Sequence, residues 1–167
     1  MKKHILAAVF IALSATAFAE RPSSDELAIR LGVHAWFSAR SSNAGQFDFS
    51  KLQAIYRPDL EFTDPATGKS MTTRGLVAYT AILQSLVEQV QKFEAKPGDD
   101  VSIALNGSNA TSSFTFRPRG VYKDGRAVTC GARVSLTWER HDGLWQIARE
   151  EIAPLAPQVP AEIAAAK

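Results

Sequence analysis

The stretch RAVTCGARVSLTWERHDGLWQIAREEI, Arg126–Ile152, decides the reading of this chain. Its first half alternates. Val128, Cys130, Ala132, Val134, Leu136 and Trp138 fall on one face, and Thr129, Gly131, Arg133, Ser135, Thr137 and Glu139 on the other. A two-residue period of this kind marks a strand with one face on a core and one toward solvent. His141-Asp142-Gly143 then supplies turn chemistry, and a second strand begins. Trp145 and Ile147 set the inward phase of that last strand, and carrying the phase forward places Arg149 and Glu151 inward as well.

Outward from this hairpin the same vocabulary recurs. VSIALN (101–106) and ATSSFTFRP (110–118) are strand-like and are separated by turn residues, so from Phe93 onward the chain reads as an antiparallel meander. Before Phe93 the period is helical. Ser24 is placed to cap a helix carrying Leu27, Leu31, His34, Ala35 and Ser38, its apolar sector widened by Ile29, Val33, Trp36 and Phe37. Ser50 can cap a short helix that stops before Pro58. Thr72 or Thr73 opens a further helix whose face is Leu76, Tyr79, Leu83, Leu86, Val87 and Val90. Helices first and a meander last predict an α+β fold, with helices packed on one face of an antiparallel sheet.

The ends of the chain bear on where it works. Lys2 and Lys3, an apolar run from Ile5 to Leu13 and the small-x-small triplet Ala17-Phe18-Ala19 have the form of a cleaved signal peptide over residues 1–19, which implies export to the bacterial periplasm or secretion. Removing 19 of 167 residues leaves 148, enough for one domain, read here as 20–153 with a Pro/Ala-rich flexible tail over 154–167. Loss of the two lysines brings 19 basic residues to 17 against 17 acidic ones, so the formal charge falls from +2 to zero. The chain has no basic stripe for nucleic acid and no membrane-surface helix. Cys130 is the single cysteine, so no internal disulfide forms, and its place among apolar residues predicts a buried filler.

The stretch LEFTDP, Leu60–Pro65, sets the chemical question. Alternation puts Asp64 on the side of Leu60 and Phe62, and with Arg149 and Glu151 this projects ionisable groups toward the interior. Such groups cost several kcal/mol unless paired or hydrated. They either form a structural ion pair or line a polar-lipped pocket. His34 is a candidate proton carrier beside them, Trp36, Phe37 and Tyr79 candidate aromatic walls.

The aromatic first helix, FDFSKLQAIYRPDLEFTDP (47–65), Arg74-Gly75 before the long helix and the ending VSLTWERHDGLWQI (134–147) together resemble the nuclear transport factor 2-like superfamily, in particular its SnoaL-like branch. The resemblance implies a cone-shaped, curved antiparallel sheet closed by N-terminal helices around a pocket, the cystatin-like architecture, commonly as a homodimer. Ketosteroid isomerase belongs to this superfamily, and its general base falls at the position of Asp64. Its oxyanion donors, a tyrosine and a late acid, correspond here to Trp36 and to Val128, Cys130 and Ala132, so that activity does not carry over. The last strand also resembles the association domain of calcium/calmodulin-dependent kinase, with Arg149 and Glu151 where histidines are usual.

No metal-binding, phosphate-loop or nucleophile-elbow motif is present, and no cofactor is expected. The leading reading is a pocket for a small, partly apolar molecule, lined by Trp36, Tyr79, Arg149 and Glu151. The alternatives are an enzyme of the isomerase, cyclase or hydrolase type using Asp64 and His34, or a non-catalytic dimerisation module. Fold alone does not separate them.

Overall fold

The computed structural model describes residues 22–42, 46–64, 71–128 and 130–155, with the backbone alone for Asp64, Met71 and Thr72. Residues 1–19 and the tail beyond Leu155 lie outside them. Ser23, one position before the expected cap, accepts from the Glu26 amide at 3.1 Å and starts α1 (Ser24–Ala39), with Asp25 and Glu26 in the first turn. In α2 (Ser50–Ile55), Ser50 is the first residue; Asp48 accepts from its amide at 3.1 Å. The chain then enters β1 (Tyr56–Asp64).

Thr72 and Thr73 do not open the next helix. They belong to β2 (Met71–Arg74), which pairs antiparallel with β1. Their β-branched side chains favour a strand. Gly75, with φ +93°, ends β2 and gives its amide to the Leu60 carbonyl at 2.8 Å. Helix α3 (Leu76–Val87) comes next. Val90, expected on that helix, begins β3 (Val90–Glu94). The remaining strands are β4 (Ser102–Asn106), β5 (Asn109–Phe116), β6 (Arg119–Tyr122), β7 (Ala132–His141) and β8 (Leu144–Pro154).

The main sheet has the order β2-β1-β8-β7-β5-β4, and β3 and β6 form a separate pair. It is a curved, mixed sheet rather than a wholly antiparallel one, because β1 and β8 run parallel. A parallel pair needs a long connection, and here everything from β2 to β7 supplies it. The long strand keeps its expected phase: Ala132, Val134, Leu136 and Trp138 are buried, while Arg133 on the other face bonds Asp100 and Ser113. These residues meet Ile29, Val33, Trp36 and Phe37 of α1, with Leu60, Phe62, Phe114 and Ile147 completing the core. Burial of each large apolar side chain contributes about 1.5–3 kcal/mol.

Cys130 departs from expectation. It is exposed, because the ladder of β7 begins only at Ala132 and alternation does not extend back to position 130.

The β3–β6 pair depends on one close approach. A Cβ added at Gly120 would stand 2.3 Å from the Lys92 carbonyl oxygen, a backbone atom with no freedom to turn away. Gly120→Ala is expected to part the two strands and to lower stability by about 1–3 kcal/mol, read as a lower urea midpoint. An unchanged midpoint would show that the pair tolerates the separation.

Candidate functional site

The interior acid is Glu150. Arg149 and Glu151 both point outward, and the reason is a β-bulge. Trp138 pairs with Ile147 and Thr137 with Arg149, which leaves Ala148 as an extra residue in β8. A bulge shifts the alternation by one and re-aims the side chains beyond it. Ile147 is buried, Arg149 is exposed, and Glu150 is 0% exposed.

Around Glu150 the fold gathers donors from several elements. Trp36 of α1 gives its indole N–H to Glu150 Oε2 at 2.9 Å. Tyr79 of α3 donates to Oε1 at 2.8 Å, and Tyr56 at the start of β1 donates to Oε2. Arg40, one turn beyond Trp36, reaches the two carboxylate oxygens from Nη2 at 3.1 and 3.0 Å and also donates to the Tyr56 and Tyr79 hydroxyls. Its guanidinium lies 3.7 Å from the centre of the Trp36 ring. Arg40 is 7% exposed, so this is a buried ion pair held by neutral donors.

The electrostatics reflect that enclosure. Burial opposes the charge of Arg40, but Glu150 together with the two phenols outweighs it and holds its pKa above the usual arginine value. Burial pushes both tyrosines above the usual phenol value, against the pull of Arg40 and with the help of Glu150. Neither group exchanges a proton near neutrality.

Above this network is a cavity of about 280 Å³. Trp36, Arg40 and Tyr79 border it. Phe62, Phe93 and Phe116 from strands, Leu83 from α3 and Ile152 from β8 form apolar walls, and Cys130 and Tyr122 also line it. The volume falls just short of the ~300–1,000 Å³ usual for small-molecule sites.

Of the residues singled out from sequence, Trp36 and Tyr79 therefore come together on the cavity. Arg149 instead bonds Glu61 at 3.1 Å and lies 3.5 Å from Glu151 in a surface charge cluster. His34 is exposed on α1, beside Pro97, Gly98 and Asp99, away from the Glu150 network. The Asp64 backbone pairs with Met71, and its side chain is outside the described residues. Sequence reading missed Arg40, Tyr56 and Glu150. Arg40 carried a signal: it comes four residues after Trp36 and so shares its helix face.

No family model matches the chain, and no curated protein does. Solved structures do. A protein from Novosphingobium aromaticivorans named as a candidate aromatic ring hydroxylase is 21% identical, with a TM-score of 0.69 over 83% of this chain and 94% of its own. A nuclear transport factor 2-like superfamily protein from Salmonella enterica serovar Typhimurium is 18% identical, with a TM-score of 0.63 over 80% and 93%. A type 2 hexachlorocyclohexane dehydrochlorinase is 13% identical, with a TM-score of 0.65 over 81% and 91%. The chain has the nuclear transport factor 2-like fold.

Adjacent residues of β8 should respond very differently to truncation. Glu150→Ala leaves the Arg40 charge buried without its counter-ion and should cost about 3–5 kcal/mol. Arg149→Ala and Glu151→Ala remove exposed charges and should each cost under about 1 kcal/mol. Urea unfolding of the three variants measures the contrast, and equal losses would contradict the bulged phase.

The phenols set an alkaline limit. Their folded pKa values lie above the unfolded value of about 10, so the native state retains protons that the unfolded state releases. Stability is full below about pH 10 and falls as pH rises beyond it. Titration followed at 295 nm should show Tyr56 and Tyr79 ionising together with loss of the circular dichroism signal. Tyr56→Phe/Tyr79→Phe should remove that coupled step.

Proposed function

We propose that this protein binds a small, mostly apolar cyclic molecule in the cavity above the Glu150 network. The observation that carries the reading is the enclosure itself: about 280 Å³ walled by aromatic and aliphatic side chains, with polar groups confined to a few positions. A cavity of roughly 150 Å³ accepts benzene, so this one suits a substituted ring or two fused rings. Two neighbours with the same fold bear names that refer to rings, one an aromatic ring and one hexachlorocyclohexane. That agreement supports the ligand class.

Binding is favoured over proton-transfer catalysis by the groups on the cavity wall. A general acid or base works best with a pKa near the working pH. Arg40 and Tyr79, both on that wall, are driven in the wrong direction for this.

Cys130 provides a reporter. It is exposed and lines the cavity, and partial burial raises its thiol pKa, so alkylation is best followed at mildly alkaline pH. Saturating tetralin, a neutral fused bicycle, should slow iodoacetamide labelling of Cys130 several-fold, and Leu83→Trp, which fills the cavity from α3, should remove the protection. Labelling at the same rate with and without tetralin would refute cavity binding.

A further inference from the structure

Resting on the cavity reading above, we infer that Arg40 is the specificity element of the site, and that it selects a neutral ligand bearing a hydrogen-bond acceptor, a carbonyl oxygen in the first instance, over an anion. Arginine has N–H groups on Nε, Nη1 and Nη2. In Arg40, Nη2 serves Tyr56, Tyr79 and both oxygens of Glu150, and Nη1 donates to the Trp36 carbonyl at 3.3 Å. The Nε–H, like the second N–H of Nη1, makes no hydrogen bond among the described residues.

Burial tells where that edge lies. Among the described residues, no fully buried side-chain nitrogen or oxygen lacks a partner. Nε is thus not sealed in protein, although Arg40 as a whole is only 7% exposed. Arg40 borders open space at the cavity. Trp36 covers the face of the guanidinium, so an approaching molecule meets its edge, where N–H donors point.

Charge then decides what kind of acceptor fits. Glu150 already balances Arg40 at 3.0 Å. A ligand carboxylate would bring a second negative charge into an apolar enclosure with one cation to share, and an unpaired buried charge is strongly disfavoured. A carbonyl oxygen takes the free N–H without that cost. A pure hydrocarbon fills the space but leaves the donor unsatisfied, which is also unfavourable.

The test compares three bicyclic probes by calorimetry on the purified full chain: 1-tetralone, tetralin and 1-naphthoate. Tetralone should bind about tenfold tighter than tetralin, although tetralin is the more hydrophobic, and more than about tenfold tighter than naphthoate. Glu150→Gln removes the balancing charge and should invert the order of tetralone and naphthoate. If that variant does not fold, the comparison on the unaltered chain still decides. Tetralin binding as tightly as tetralone, or naphthoate binding best to the unaltered chain, would overturn the role of Arg40 while leaving the cavity reading intact. Failure of all three to bind would overturn both.

Discussion

The pairing of Arg40 with Glu150 is the constraint on which the rest of this structure depends. Each group alone would be intolerable where it lies, and together they are held by Trp36, Tyr56 and Tyr79. Those residues come from α1, β1 and α3, and Glu150 comes from β8, so one carboxylate fixes the positions of four elements. Apolar packing gives most of the stabilising free energy, but it is not directional. The polar knot adds direction, because a carboxylate has a limited number of places where donors can sit. The last turn of α1 and the first residue of β1 meet β8 in the register that satisfies it.

What makes the knot possible is a single extra residue. With Ala148 taken out of the count, β8 alternates regularly through Ile147, Glu150 and Ile152 on the inside. With it counted, the phase runs to Arg149 and Glu151, which the structure places outside. Arg149, Glu150 and Glu151 are three consecutive charged residues, so composition gives no hint which of them faces inward. The ladder of β7 was legible because its apolar and polar residues alternate without interruption from Ala132 to Glu139. Cys130 and Thr72 were misread for related reasons. One lies just before its ladder starts, and the other is drawn into a strand by pairing with β1 instead of continuing toward the helix behind it.

The fold was therefore readable wherever a period persisted, and the site was only partly readable because sites are where periods break. Trp36 and Tyr79 were found as aromatic residues on helix faces. Their partner was not, since its orientation depends on a backbone irregularity that leaves no mark on side-chain pattern. Bulges sit beside functional residues in many sheets because they turn a side chain without changing the strand that carries it. Here the turned side chain is an acid, and its burial calls for the arginine and phenols around it.

The same network forms one side of the cavity. Its base is tied by hydrogen bonds to a buried charge, which are stronger than neutral ones and resist displacement. Away from that base the lining also includes elements with less burial, beside Phe62, Phe116 and Ile152 of the main sheet. Only Tyr79 is fully buried in α3, Leu86 near the helix end is 58% exposed, and β3 and β6 form their own pair apart from the main sheet. Segments with few buried apolar contacts open at lower free energy than core strands. On the binding proposal, Leu83 and Leu86 of α3 and Phe93 and Tyr122 of the β3–β6 pair form part of the lining away from that base. On the same proposal, recognition falls to Arg40, whose position the buried acid sets.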